Sequence, residues 1–207
     1  MEIEVKYAVP DTELIEKIWN DPKLEKITED GSAERLPFRA LYYDTEDKAL
    51  RAAKLTLRVR SEGDTAFATM KWGGKTRKGL HKRQEVNVPV CIEKALDPPD
   101  AALFADTEKG AELAALTEGK TLAPAVVMEF RRSRKRLIFE GNTIELALDL
   151  GEIKGPKGVL PIQEMELEHL AGLDPLSVKK LGDELAAKYG LIPENRSKYS
   201  RGLTLCS

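Results

Sequence analysis

Apolar and polar side chains alternate at period two over most of this 207-residue chain, the mark of strands whose two faces meet different surroundings. Met1 to Val9 reads as a strand, ended by Pro10 and by Asp11, which caps a short helix running through Trp19. The same alternation predicts strands over Arg39 to Asp44, Lys54 to Glu62, Ala66 to Trp72, His81 to Val90 and Val126 to Phe139. Glu140-Gly141-Asn142 has turn chemistry and joins the last of these to Thr143 through Leu150 as a hairpin. Ile162 to Leu170 predicts one more strand. The period lengthens over Asp174 to Tyr189, which opens with Asp174-Pro175, carries Leu176, Leu181 and Leu185, and stops at Gly190; this predicts a helix. The Ala-, Asp- and Glu-rich stretch from Ala95 to Pro124 predicts one or two short helices. No linker, low-complexity tract or repeat interrupts the chain, so residues 1–207 are expected to form one domain. Eight or so antiparallel strands with few helices place it in the mainly β (α+β) class, as a barrel or sandwich.

Composition narrows the classes of function. The hydrophobic share of 42% is that of a globular protein, and no stretch approaches the roughly 20 apolar residues of a membrane span. Met1-Glu2-Ile3-Glu4 lacks the basic-then-apolar order of a secretory signal, so a cytoplasmic location is expected. Cys91 and Cys206 have no disulfide framework or metal-ligand spacing and are expected to be free. The 33 Lys and Arg residues nearly cancel the 35 Asp and Glu residues. Nucleic-acid binders carry a basic surplus, so no nucleic-acid partner is expected, and no membrane.

Position along the strands makes those charges informative. Residues two apart share a strand face. Glu2, Glu4 and Lys6 share one, with Ile3 and Val5 opposite. Arg58 and Arg60 surround Val59; Thr69 and Lys71 follow; Arg83, Glu85 and Asn87 oppose Val86 and Val88. Arg132, Arg134 and Arg136 form a basic row. Glu145 and Asp149 flank Ala147, and Glu164, Glu166 and Glu168 form an acidic row around Met165 and Leu167. For any one strand, the plain reading is the solvated face of a sheet. The segregation argues otherwise, because three like charges about 7 Å apart repel unless something of opposite charge lies between the rows. Carboxylates take hard cations, and guanidinium and ammonium groups take phosphate oxygens. A barrel with both in its lumen would hold a metal–polyphosphate complex, with the apolar positions packed outward against helices. Lumen cations would repel one another without a ligand, so removing Arg58 or Arg132 is expected to leave stability unchanged or raised.

Glu2-Ile3-Glu4-Val5-Lys6 resembles the ExExK motif of the CYTH family, the triphosphate tunnel metalloenzymes. The resemblance continues in order through Tyr42-Tyr43-Asp44-Thr45, Leu57-Arg58-Val59-Arg60, Thr69-Met70-Lys71 and Leu80 to Glu85. It then runs through Ile144 to Glu152, the Glu164/Glu166/Glu168 row, Ser197-Lys198 and Arg201-Gly202, so it covers nearly the whole chain. The wording around Leu80 and Ile144 is similar to that of bacterial inorganic triphosphatases. The resemblance implies a closed eight-stranded antiparallel β-barrel (tunnel) with flanking helices. It implies Mg²⁺ or Mn²⁺ on Glu2, Glu4 and members of the row Glu164, Glu166 and Glu168. It implies phosphates on Lys6, Arg58, Arg60, Lys71, Arg83, Arg132 and Arg134, with Lys198 and Arg201 closing one mouth. Glu4 and Lys6 would act in catalysis, with Glu168 or Glu85 as the base. The implied reaction is hydrolysis of inorganic triphosphate to diphosphate and phosphate. Thiamine triphosphatase, class IV-type adenylate cyclase and a non-catalytic polyphosphate-binding module are the alternatives. The implied partner is inorganic triphosphate or another triphosphate-bearing small molecule, taken up by a monomer or homodimer.

Other signals are weaker. Gly74-Lys75-Thr76 lacks the earlier glycine of a P-loop, since position 69 is Thr69, and is expected to be a loop between strands. His81 and His169 have no second ligand at zinc spacing, and no GxSxG elbow exists. Trp19 and Trp72 read as outer packing. On the parity of the charges the aromatics placed are Phe67 and Phe130, which leaves a nucleotide base little to stack on.

Overall fold

Each strand pairs antiparallel with its neighbours in the order β5-β4-β3-β2-β6-β7-β8-β1, and β1 pairs back to β5, closing an eight-stranded barrel. The computed structural model describes residues 2–206; Met1, expected to open the first strand, and Ser207 lie outside the described residues. The strands are β1 (Glu2–Ala8), β2 (Glu34–Thr45), β3 (Thr56–Glu62), β4 (Thr65–Arg77), β5 (Leu80–Val90), β6 (Leu122–Phe139), β7 (Asn142–Gly155) and β8 (Gly158–Ala171). A two-residue strand, β9 (Ile192–Pro193), continues the β5 side of β1 at Tyr7 and Ala8. Closure leaves the barrel wall without the unpaired edges that an open sheet must cover.

Several strands run longer than the alternation predicts. β2 begins at Glu34 rather than Arg39, β4 continues to Arg77 and β7 continues to Gly155. In the added parts of β2 and β4 most side chains are exposed on both faces, so no alternation marks them. Gly74-Lys75-Thr76 lies in β4 beside a register shift between Trp72 and Lys75, and is strand rather than loop.

The helices explain why the charged face turns inward. They are α1 (Glu13–Trp19), α2 (Pro22–Ile27), α3 (Ala49–Ala52), α4 (Gly110–Thr117), α5 (Ser177–Tyr189) and α6 (Lys198–Gly202). α5 ends at Gly190, whose φ of 67° suits the left-handed turn that stops a helix. Its Val178, Leu181 and Leu185 join Val5, Tyr7, Leu146 and Leu167 in the main apolar cluster, all from the outward face of the barrel wall. Contact is close: a Cβ on Gly182 would lie 2.8 Å from the Tyr7 ring. Fully burying such a side chain is worth roughly 1.5–3 kcal/mol. A second cluster joins Leu57, Ala68 and Met70 of the wall to Leu50, Phe104 and Leu113. Trp19 and Trp72 pack against these outer clusters, as expected. With the apolar positions covered outside, their polar alternates can only face the lumen. No helix among the described residues is long and apolar enough to cross a membrane.

Candidate functional site

The lumen holds a cavity of about 250 Å³ walled by side chains from all eight barrel strands and by the start of α6. Cross-strand register groups its charges. Glu4 lies opposite Glu168, which in turn lies opposite Glu145, so these carboxylates and Glu2 form one acidic arc. Arg58 lies opposite Tyr42 on one side and Thr69 on the other, with Arg60 beside it, forming a basic arc across the cavity.

A dense ion network joins the two arcs. Lys6 Nζ donates to Glu4 Oε2 at 2.9 Å and to Glu166 Oε1 at 2.5 Å. Arg132 forks onto Asp149 with two bonds of 2.7 Å and reaches Glu166 Oε2 at 2.7 Å. Lys198 Nζ lies 2.8 Å from Asp149 Oδ2, 2.7 Å from Glu164 Oε2 and 2.7 Å from Glu166 Oε1. Burial by itself would raise the Glu166 carboxyl, but Lys198, Lys6 and Arg132 hold it well below the usual range. Glu164 is fully buried behind Lys198 and Arg201, and neither Glu164 nor Arg201 lines the cavity.

The arcs themselves are left incomplete. Among the described residues Glu168 has no cationic partner; burial, then the Glu2 and Glu4 carboxylates, push its pKa up to about 8. Glu2 is raised by burial and Glu4, and Glu145 is raised by burial despite Arg132 and Arg134. On the other side Arg58 donates to Tyr42 Oη and Thr69 Oγ1, both at 3.3 Å, and has no ion pair among the described residues. Arg60 pairs with Glu62, yet burial and Arg58 pull it down to about 10. The buried Nε atoms of Arg58 and Arg60 have no hydrogen-bond partner among the described residues. Buried polar groups of this kind normally have partners, so the cavity asks for an anion at one arc and a cation at the other.

The remaining sequence candidates fall on the wall between. Lys71 holds Glu2 at 3.1 Å and pairs with Glu85. Glu85 is partly buried, which would raise its carboxyl, but Lys71 and Arg58 keep it far below the ordinary range. Arg83 reaches Glu2 at 3.5 Å and Glu4 at 3.9 Å. Arg134 bonds Glu34 and Glu62 near one end, while Arg136 of the same row leaves the lumen and pairs with Glu29 on the surface. The acidic side chains supply oxygen ligands suited to a hard cation. Among the described residues no three acidic, His or Cys side chains already converge on one point. Glu2 and Glu4 instead lean on Lys71, Arg83 and Lys6.

The aromatic content differs from the sequence expectation. Phe130 does line the cavity, Phe67 does not, and Phe38, Tyr42 and Tyr199 join it. Phe38 sits in the part of β2 whose strand character the alternation missed, and Tyr199 lies on a one-turn helix with no strand parity to follow. Phe38 and Phe130 stack with ring centroids 5.2 Å apart. The Phe38 ring is only 3% exposed, with the guanidiniums of Arg132, Arg60 and Arg134 at 5.2, 5.8 and 6.0 Å from its centroid. Those cations cover it, so it offers little surface to a base. Tyr42 faces inward and Tyr43 outward, where its hydroxyl donates to the Leu96 carbonyl at 2.7 Å. Asp149 and Glu62 are residues of the site that strand parity indicated without singling out, whereas the sequence left open which of Tyr42 and Tyr43 faces the lumen.

Comparison with known proteins agrees with this architecture. The profile of the CYTH domain matches residues 1–203. A stretch of 131 residues, 63% of this chain, is 35% identical to an inorganic triphosphatase of Haemophilus influenzae and spans 35% of that protein's length. The Hippeastrum protein HpAC1, an adenylyl cyclase candidate with a dominant triphosphatase activity, superposes with a TM-score of 0.68 at 18% identity. That alignment covers 99% of this chain and 96% of the other. A Pyrococcus horikoshii protein superposes with a TM-score of 0.58 at 20% identity, over 99% of both chains. At such identities the superpositions speak for the fold.

Proposed function

This chain belongs to the CYTH domain family, and we propose that it hydrolyses inorganic triphosphate to diphosphate and phosphate inside the barrel, with a bound divalent cation. One observation carries the reading: one cavity has a basic arc whose buried Nε atoms lack partners among the described residues, opposite a carboxyl, Glu168, that has no cationic side chain on it among those residues. A triphosphate carrying a divalent ion satisfies both. The relative from Haemophilus influenzae, itself an inorganic triphosphatase, supports the choice of substrate.

Glu2, Glu4 and Glu168 would hold Mg²⁺ or Mn²⁺, because they line the cavity together and are oxygen donors. When bound, the ion neutralises charge on phosphate oxygens. Arg58 and Arg60 grip phosphate oxygens with the nitrogens now idle, and Lys6 and Lys198 meet the chain from the network side. Glu166 and Asp149 hold Lys6, Lys198 and Arg132 in place rather than contacting an anion. Glu85 is too acidic, beside Lys71 and Arg58, to take a proton near neutral pH. Glu168 is the other candidate for that task, since it lines the cavity and has no cationic side chain on it among the described residues.

Activity is expected to require added Mg²⁺ or Mn²⁺ and to vanish in chelator, followed as phosphate release from triphosphate. Undiminished turnover after exhaustive chelation would sink the proposal. A second expectation concerns pH. Folding raises the Glu168 pKa from 4.5 to about 8, so its protonated form favours the folded state. That stability is fully present below 4.5 and is lost as pH rises through about 8. Thermal melts of metal-free protein across this range should fall with pH. Glu168→Gln should flatten the slope, and a slope unchanged in that variant would refute the assignment.

A further inference from the structure

His81 is 1% exposed and both of its ring nitrogens are engaged. Nε2 lies 2.9 Å from the Glu194 carbonyl oxygen, which can only accept, so the proton sits on Nε2. Nδ1 is then the acceptor, facing Thr76 Oγ1 at 3.2 Å and Arg83 Nη2 at 3.4 Å. The partners set one neutral tautomer, and burial disfavours the charged ring.

The imidazole sits at a seam where three pieces of chain meet. The Lys6 amide donates to the Gly79 carbonyl at 2.9 Å, and the Glu194 amide donates to the Lys6 carbonyl at 2.9 Å. The Gly79 amide donates to Asn195 Oδ1 at 2.8 Å. Gly79 has φ +77°, and a Cβ there would lie 2.7 Å from the Lys6 carbonyl oxygen, so the seam tolerates no larger residue. β1, carrying Lys6, and the β4–β5 turn are thereby tied to residues 194–195. Three residues after Asn195 comes Lys198, the first residue of α6, whose ammonium reaches the cavity.

We propose that His81 is a positioning residue: its Nε2–H holds the segment that delivers Lys198 into the lumen, while Nδ1 steadies Arg83 two residues along its own strand. This rests on reading the cavity as a triphosphate site. One imidazole thus links two cations that approach the cavity from different parts of the chain. A carboxylate at this position could not do the same, because it has no N–H to donate to the Glu194 carbonyl.

The test compares His81→Leu, which removes both bonds, with His81→Gln, whose side-chain amide can still donate near the Nε2 position. With Mg²⁺ and inorganic triphosphate, His81→Leu should lose at least about tenfold in kcat/KM, and His81→Gln should recover most of it. In a double-mutant cycle Lys198→Ala should cost less in the His81→Leu background than in the wild type. Amide exchange over residues 194–202 should quicken in His81→Leu. Wild-type kcat/KM in His81→Leu, strictly multiplicative losses with Lys198→Ala, or unchanged exchange would each overturn the inference. If His81→Leu does not fold, Asn195→Ala cuts the neighbouring tie and carries the same cycle. Wild-type protein that neither binds nor turns over triphosphate would refute the site reading instead, while the exchange experiment would still report on the anchor.

Discussion

Glu4→Gln is expected to lower triphosphate hydrolysis by at least about two orders of magnitude while leaving the protein folded. Glu4 is 4% exposed and sits at the junction of the acidic arc and the ion network. Gln keeps the shape and one acceptor for Lys6, and Lys6 retains Glu166 at 2.5 Å. The negative charge offered to a divalent ion is what disappears. Losing it also removes one of the carboxylates that raise Glu168 in the metal-free protein. Turnover at saturating Mg²⁺, paired with a thermal melt, separates the effects. A variant that unfolds, or works normally, would make Glu4 structural or peripheral.

Arg58 and Arg132 should part company. Both line the cavity, and removing either is expected to weaken triphosphate binding. Their stabilities are expected to move differently, which corrects the expectation drawn from strand parity. Arg132 is bidentate on Asp149, a carboxylate with no exposure, and also bonds Glu166. Arg132→Ala leaves that buried charge to Lys198 alone and should destabilise the fold by about 3–5 kcal/mol. Among the described residues Arg58 has no ion pair, and it lowers the pKa of its neighbour Arg60. Arg58→Ala should therefore leave stability unchanged or raised while KM for triphosphate rises about tenfold or more, the equivalent of one lost charge-assisted contact. Denaturation midpoints and KM values for the two variants decide it. Equal destabilisation by both would mean that Arg58 also serves the fold.

This contrast marks how far the sequence alone could be read. Which face of each strand carries charge was legible, because the opposite face is apolar and the helices that cover it have their own periodicity. Val5 and Tyr7 against Leu181 are the clearest case. The resemblance around Glu2 to Lys6 then indicated a closed tunnel. Pairing inside the lumen was not legible. Arg132 meets Asp149 across a strand pair, and Lys198 reaches Glu164 from a helix that strand parity does not describe. Such partners are set by register and by the placement of α6, neither of which a single strand reveals. Hence Arg132 looked like a free phosphate cation and Glu164 like a metal ligand at the cavity, whereas Arg132 lines the cavity already engaged in the ion network and Glu164 lies behind it. Phe38 escaped for a different reason. Its strand begins among exposed residues on both faces, so the alternation that would have assigned its parity starts too late.

The substrate decides the account. On the proposed reading the lumen would meet phosphates with Arg58, Arg60, Lys6 and Lys198, and its Phe38 ring is already covered by guanidiniums, so binding energy should concentrate on the triphosphate. The decisive measurement is kcat/KM for inorganic triphosphate, ATP and thiamine triphosphate with Mg²⁺, with cyclic AMP followed alongside. Inorganic triphosphate should be hydrolysed with the highest efficiency and ATP should yield no cyclic product, since cyclisation needs the ribose hydroxyl held in line with the α-phosphorus. ATP or thiamine triphosphate exceeding inorganic triphosphate, or cyclic AMP formed at a comparable rate, would contradict it.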